Sequence, residues 1–265
     1  MSEPGINPTL QEVEQLAHEA GQLLMTRFGK AHDINMKGEI DLVTEADHLS
    51  EKYILGQLKR RHPFHGVISE EAGSNHILSD HKWFIDPLDG TVNFAHGIPI
   101  FSVSIAYAFQ EKLQLGVVYD PIRDECFSAE IGKGAWLNGT PIHVSQTQTL
   151  IQSLLVTGFP YERDENHITN LKHYSHFSLQ TRGVRRLGSA AIDLCFVASG
   201  RLDAYWELVI NSWDIAAGCL ISTEAGAIVS DANGRDLNYQ EISSVLVANP
   251  FLHSDVLRVL LQSAE

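Results

Sequence analysis

Apolar side chains near the N-terminus recur every three to four positions, at Val13, Leu16, Ala17, Ala20, Leu23, Leu24 and Phe28. That spacing lays one apolar stripe along a helix. Thr9 and Glu12 supply a capping-box start, and Gly29 is placed to end the element. A second helix is predicted from Thr44, with Asp47 three residues on, through Leu49, Tyr53, Ile54 and Leu58 to the break at His62 and Pro63. Between residues 66 and 130 the period changes. The short runs GVIS and WFID lead into FSVSIAYAF, where large and small side chains alternate, and LQLGVVYD and ECFSAE follow. These runs predict a sheet, and Asn138 with Gly139 predicts a tight turn after the Trp136 segment.

The second half mixes both patterns. SLLVTGF reads as a strand, the polar stretch around 165 to 180 as a helix, and GSAAIDLCFVASG as a helix rich in small residues. DAYWEL is a short strand, SWDIAAGCLISTEAG a helix closed by Gly226, and AIVSD, VLVANP and an amphipathic tail helix complete the chain. Helices and strands come in blocks and not in a regular βαβ rhythm, which favours an α+β or layered α/β sandwich over a doubly wound nucleotide fold. Residues 1–265 read as one unit. A division near residue 150, into 1–150 and 151–265, would leave two parts sharing one core.

Composition narrows the functional classes. A chain of 265 residues that is 44% hydrophobic and 20% charged is long enough to bury roughly 70 to 75% of its unfolded surface. A net charge of -14 with only 19 Lys and Arg argues against direct nucleic-acid binding. The absence of an eighteen-residue apolar run and of a basic, then apolar N-terminus leads to the expectation of a cytoplasmic, soluble protein that does not enter a membrane. Cys126, Cys195 and Cys219 are too few and too scattered for a disulfide framework and are expected as buried free thiols. The histidines form no HExxH, and His173 with His176 in HYSH is expected on a solvated face, so zinc is not expected.

The acidic residues carry the chemistry. In WFIDPLDGTVNF an apolar strand runs into Asp86 and Asp89, while Glu70 and Glu71 follow GVIS, and Asp47 and Asp214 fall in the first turns of helices. Singly, Asp47 could be a capping partner for Thr44 and Asp214 a charge at a helix N-terminus. Together they raise a different question. Like charges about 4 Å apart cost about 4 kcal/mol at an effective dielectric near 20, so convergent carboxylates either protonate or surround a multivalent cation. Oxygen-only ligation points to Mg²⁺ before zinc or copper. Pro87 is expected to turn the backbone after Asp86 and aim the Leu88 carbonyl at the cavity while the Leu88 side chain packs away. Gly90 would admit a phosphate oxygen, and Thr91 supplies a hydroxyl. Two ions about 3.5 to 4 Å apart suit phosphoryl transfer to water.

DPLDGTVNF, with GEIDLVTEAD, VISEEAG and SWDIAAGCLISTEAGAIVSD, resembles the inositol monophosphatase family of Mg²⁺-dependent, lithium-sensitive sugar-phosphate phosphatases, over nearly the whole chain. The resemblance implies a layered αβαβα sandwich, usually a homodimer. It also implies that Glu70, Asp86 and the Leu88 carbonyl hold one Mg²⁺, that Asp86, Asp89 and Asp214 hold a second, and that a third, weaker ion lies near Glu70. Asp47 and Thr91, with Glu70 beside them, would activate the attacking water, and a water near Asp214 would protonate the leaving alkoxide. Leu88, Asp89, Gly90, Thr91 and Asp214 would meet the substrate, with phosphate over the Gly90 and Thr91 backbone. Glu207 would accept hydrogen bonds from ring hydroxyls, and Gly188, Ser189 and Ala190 would line the polyol. TGFPY at 157–161 matches a family segment without an assigned role. Val92 departs from the family, many members of which carry a second Thr there.

The implied substrate is a small polyol phosphate, first myo-inositol 1-phosphate. Fructose 1,6-bisphosphate, the 2'-phosphate of NADP, histidinol phosphate and 3'-phosphoadenosine phosphate are substrates of related members. VNF after DGT and the short loop between Glu71 and Trp83 look more like the inositol type. The competing class is a regulatory protein that acts through a partner protein.

Overall fold

The structure, a computed structural model, describes residues 7–30, 34–36, 42–159, 170–239 and 242–263, with the backbone alone for 34–36, 42–44 and 263. Residues 38–41 of the GEIDLVTEAD stretch, the Thr44 side chain, residues 160–161 of TGFPY and residues 165–169 of the predicted polar helix lie outside it. In chain order the elements are α1 (Leu10–Met25), β1 (Ile34–Met36), β2 (Leu42–Thr44), α2 (Glu45–Arg61), β3 (Gly66–Ser69), β4 (Gly73–Ser74), β5 (His81–Asp89), α3 (Thr91–Ala95) and β6 (Ser102–Phe109). Then come β7 (Lys112–Asp120), β8 (Glu125–Glu130), β9 (Gly134–Leu137), β10 (Thr140–Pro141), a 3-10 turn (Leu150–Gln152), β11 (Leu154–Thr157), α4 (Leu171–Gln180) and β12 (Gly183–Arg185). The chain closes with α5 (Ala190–Ala198), β13 (Ala204–Ile210), α6 (Ser212–Glu224), β14 (Ile228–Ser230), β15 (Ser243–Ala248) and α7 (His253–Ser263).

Strands β10-β9-β8-β7-β6-β5-β3-β4 form one sheet in that order, β12-β11-β13-β15-β14 a second, and β1 and β2 a small antiparallel pair. The alternation of FSVSIAYAF explains the layering. Val103, Ile105 and Tyr107 of β6 pack with α1 and α2 through Val13, Leu16, Ala20 and Ile54. Ala106 and Ala108 of the same strand meet Ala191 and Cys195 of α5 and Ala216, Ala217 and Ile221 of α6. Bulky residues thus fill one interface, and small ones let the α5/α6 layer approach the sheet closely. The opposite faces of α5 and α6 present Leu194, Val197, Ile215 and Cys219 to Val156, Tyr205, Val245 and Val247 of the second sheet. The outer face of that sheet is covered by Phe177 of α4 and Leu252, Val256 and Leu260 on and before α7. The result is a layered αβαβα sandwich.

Several local expectations meet their physical basis. Thr9 accepts the Glu12 amide at 3.3 Å while Glu12 accepts the Thr9 amide at 2.8 Å, completing the capping box. Helix α1 stops at Met25, a turn short of Gly29, and at its C-cap the Thr26 hydroxyl donates to the Leu23 carbonyl at 2.7 Å. Asn138 and Gly139 both have positive φ, 49° and 74°, as a two-residue type I′ connection between β9 and β10 requires. Two expectations are corrected. His173 is not on a solvated face: it is buried, with Nε2 at 3.1 Å from the Leu260 carbonyl of α7, while His176 is exposed. Nor does the chain turn after Asp86: β5 continues through Pro87 to Asp89.

Candidate active site

A bulge replaces that turn, and it determines where the acids point. Asp86 lies opposite Ser104 of β6 and Asp89 opposite Ser102, so three steps on β5 match two on β6. In a regular strand Asp86 and Asp89 would face opposite sides. The extra residue brings both to the face of Ser102 and Ser104, which looks at the α5/α6 layer. Pro87, which has no amide hydrogen, is tolerated at such a bulge. The Ser50 hydroxyl of α2 fixes the bulge from behind by donating to the Pro87 carbonyl at 2.8 Å, and the Leu88 amide donates to Asp86 Oδ1 at 3.0 Å.

Each acid reaches this place from a different element. Glu70 leaves β3, which pairs parallel with β5, and its amide donates to the Ile85 carbonyl at 3.2 Å. Asp214 lies in the first turn of α6, where Oδ2 accepts the Asn211 amide at 3.1 Å. Burial pushes Asp86 well above the usual carboxylate range, and the carboxylates of Glu70, Asp89 and Asp214 push it further, with Glu70 also in hydrogen-bond reach. Asp214 is likewise pushed well up, by burial and then by Glu70 and Asp89. Asp89 is raised by burial against the donors that surround it: Ser102 Oγ at 3.1 Å, the Ala190 and Ala191 amides at 3.1 and 3.0 Å, and the Ser189 hydroxyl. Among the described residues, no Lys, Arg or His pairs with Asp86, Asp89 or Asp214.

Beside the acids sits a second unit. Thr91 Oγ1 is 2.9 Å from Asp47 Oδ1 and 2.9 Å from the Leu88 carbonyl, and Asp47 is fully buried. A hydroxyl has one proton, so Thr91 donates to one of these acceptors at a time. The Leu88 side chain packs into the core as expected. Gly90 has φ +92°, and a Cβ there would stand 2.9 Å from the Ile100 carbonyl and 3.2 Å from the Gly188 carbonyl. Its glycine is therefore demanded by the backbone crossing behind it. Asn93 braces that crossing by donating to the Ile100 and Leu187 carbonyls, each at 2.8 Å.

The residues expected to line the polyol fall at one end of this cluster. Ser189 caps α5, its Oγ accepting the Ile192 amide at 3.3 Å, and Ser189 and Ala190 both donate to Asp89. Glu207 is 8% exposed and takes the Tyr205 hydroxyl at 2.6 Å. Burial raises its carboxyl to about 7 against the lowering effect of Tyr205 and Arg186. Two contributors escaped the sequence reading. Glu51, one turn after Asp47, accepts Ser69 Oγ at 2.6 Å and the Ala72 amide at 2.8 Å, holding the segment that carries Glu70. Asp193 is buried with Oδ1 unpartnered among the described residues, and Asp89 and Glu207 add to the effect of burial in raising it. An acid within the apolar helix AAIDLCFVA was the available signal.

The donor set is four carboxylates and a main-chain carbonyl, with Asp86 and Asp89 buried and no Lys, Arg or His pairing with Asp86, Asp89 or Asp214 among the described residues, which fits a hard divalent cation in kind. Among the described residues, no three acidic, His or Cys side chains converge tightly enough to close a coordination shell. Asp89 and Asp214 spend acceptor atoms on protein donors instead.

Comparison with known proteins agrees with this architecture. The model of the inositol monophosphatase family matches residues 7–265. An inositol-1-monophosphatase from Synechocystis sp. is 47% identical over 87% of this chain and 86% of its own length. A Nus factor SuhB from Pseudomonas aeruginosa is 42% identical over 86% of this chain and 87% of its own. The solved structure of an inositol monophosphatase from Anabaena (Nostoc) sp. superposes with a TM-score of 0.86 at 38% identity, covering 96% of this chain and 95% of that one. The chain belongs to the inositol monophosphatase family of phosphatases.

Proposed function

We propose that the protein hydrolyses a small polyol phosphate, with myo-inositol 1-phosphate as the first candidate, in a reaction that depends on Mg²⁺. The observation that carries this reading is the meeting of buried Asp86 with Glu70, Asp89 and Asp214 beside the Thr91–Asp47 pair. Glu70, Asp86, Asp89, Asp214 and the Leu88 carbonyl would hold the metal. Bound there, Mg²⁺ supplies charge to the phosphoryl oxygens and lowers the pKa of water. Once the Leu88 carbonyl is engaged elsewhere, the Thr91 proton goes to Asp47. A Thr91 lone pair is then free to accept a hydrogen bond from the attacking water and orient it toward phosphorus. Glu207, with Gly188, Ser189 and Ala190 beside it, meets the hydroxyls of the alcohol. The same reading carries Li⁺ as an inhibitor and a homodimer as the assembly.

The test is a panel of phosphate esters: inositol 1-phosphate, fructose 1,6-bisphosphate and NADP, each with and without Mg²⁺ and Li⁺. The reading expects Mg²⁺-dependent, Li⁺-sensitive release with inositol 1-phosphate turned over most efficiently. Release from NADP alone would overturn the substrate assignment. Likeness to a protein named Nus factor SuhB favours a second reading, a partner-binding role on the same fold. Asp86→Asn separates the two, since hydrolysis is lost while a scaffold role survives.

A further inference from the structure

Thr157, Gly158 and Asn170 take no part in the chemistry above, yet they form a closed polar brace behind Glu207. Strand β11 runs parallel to β13 with Thr157 opposite Trp206, so the residue after β11 arrives alongside the residue after Trp206, which is Glu207. Asn170, fully buried, ties the two strands at this point. Its Oδ1 accepts Trp206 Nε1 at 2.7 Å, and its Nδ2 donates to Thr157 Oγ1 at 2.6 Å and to the Gly158 carbonyl at 2.7 Å. Thr157 Oγ1 in turn donates to the Trp206 carbonyl at 2.5 Å. The indole N–H can only donate, which fixes the orientation of the Asn170 amide and hence the direction of every bond in the loop. The brace presses Gly158 onto the Glu207 carboxylate: a Cβ at Gly158 would lie 2.0 Å from Oε2 and 2.7 Å from Oε1. Tyr205 donates to the same Oε2 at 2.6 Å. The carboxylate is thereby confined between the Tyr205 hydroxyl and a backbone position where any side chain would displace it.

We propose that Asn170 and Gly158 are positioning residues that set the aim of Glu207, and with it the preference for a hydroxylated ring over an open-chain alcohol. The proposal rests on Glu207 being the group that meets the substrate's hydroxyls. A well-aimed hydrogen bond to a charged or partly charged acceptor corresponds to about tenfold in affinity.

Gly158→Ala, Asn170→Asp and Glu207→Gln are assayed with inositol 1-phosphate and with glycerol 2-phosphate, which has no ring. Asn170→Asp keeps the acceptor for Trp206 and removes both donors. Gly158→Ala and Asn170→Asp are expected to raise KM for inositol 1-phosphate about tenfold, with kcat unchanged and kcat/KM for glycerol 2-phosphate unchanged. Equal losses on both substrates would mean that the brace serves folding alone and would overturn the proposal. An unchanged ring preference in these two variants, with the preference lost in Glu207→Gln, would also overturn it. If Glu207→Gln keeps the ring preference, the reading of Glu207 itself is wrong.

Discussion

Replacing Asp86 by Asn separates what the acidic cluster costs in stability from what it supplies in function. Asp86 is 2% exposed, lies within hydrogen-bond reach of Glu70, and has Asp89 and Asp214 as further acidic neighbours. The amide keeps the shape and the Oδ1 acceptor that the Leu88 amide uses. Two unit charges about 4 Å apart repel by about 4 kcal/mol at an effective dielectric near 20, so neutralising one member of the ionised, metal-free cluster should relieve roughly 2–4 kcal/mol. The sign depends on pH. The folded pKa of Asp86 lies above its unfolded value, so the stability it contributes is present at low pH and lost as pH climbs through the raised value. At or below the unfolded value of about 4 Asp86 is protonated in both states, and the amide changes little. Thermal unfolding in EDTA at pH 4 and pH 8.5 reads the difference. At about 2–4 °C per kcal/mol for a chain of this size, Asp86→Asn should melt roughly 5–10 °C higher at pH 8.5 and within about a degree or two at pH 4. Saturating Mg²⁺ should reverse the order, because only the parent protein binds it well, and a ligand at a hundred times its Kd stabilises by about 2.7 kcal/mol. A lower melting temperature for Asp86→Asn in EDTA at pH 8.5, or an equal shift at both pH values, would refute the reasoning.

Three further outcomes follow from other contacts. Thr91→Val removes the hydroxyl that bonds Asp47 and is expected to lower kcat about a hundredfold with KM within a few-fold, while Thr91→Ser retains most of the rate; steady-state kinetics would show whether the hydroxyl matters. Gly90→Ala places a methyl 2.9 Å from the Ile100 carbonyl at φ +92° and should destabilise the fold by about 1–3 kcal/mol, checked by urea unfolding. His65 stacks on His81 at 4.3 Å and on His62 at 4.7 Å and takes the Trp83 indole N–H at 3.1 Å. Burial, then the neighbouring imidazoles, push His65 down to about 4, so its stabilisation is lost as pH falls from about 6.5 toward that value. Melting curves between pH 7 and pH 4.5 should decline less steeply for His65→Gln, and parallel curves would count against the stack as the acid-sensitive element.

Much of this fold was legible because its signals are local. The capping box at Thr9 and Glu12, the Asn138–Gly139 turn and the alternation in FSVSIAYAF each depend on neighbouring residues, and each appears where its pattern lies. The alternation promised more than a strand, since the small residues mark the face on which α5 and α6 pack. The convergence of Glu70, Asp86, Asp89 and Asp214 could be inferred from element ends. The device that makes it work could not: Pro87 reads as a turn in isolation, and only pairing with β6 reveals a bulge that puts Asp86 and Asp89 on one face. His173 was misjudged for a related reason, because HYSH is polar locally and is buried only by α7, some eighty residues later in the chain. Glu51 and the Asn170 brace were overlooked because their partners are distant in sequence and no periodicity encodes such contacts, whereas Asp193 did show locally, as an acid inside the apolar run AAIDLCFVA.

We expect the carboxylates that follow β3, end β5 and open α6 to hold a divalent cation without which the ester is not split. The most direct measurement is phosphate release from inositol 1-phosphate by metal-stripped protein as Mg²⁺ is returned, at pH 8 and pH 6. No turnover is expected in EDTA, with saturable recovery on adding Mg²⁺, weaker apparent affinity at pH 6 as protons compete for the carboxylates, and no recovery in Asp214→Asn. Turnover in EDTA equal to that with Mg²⁺ would contradict it.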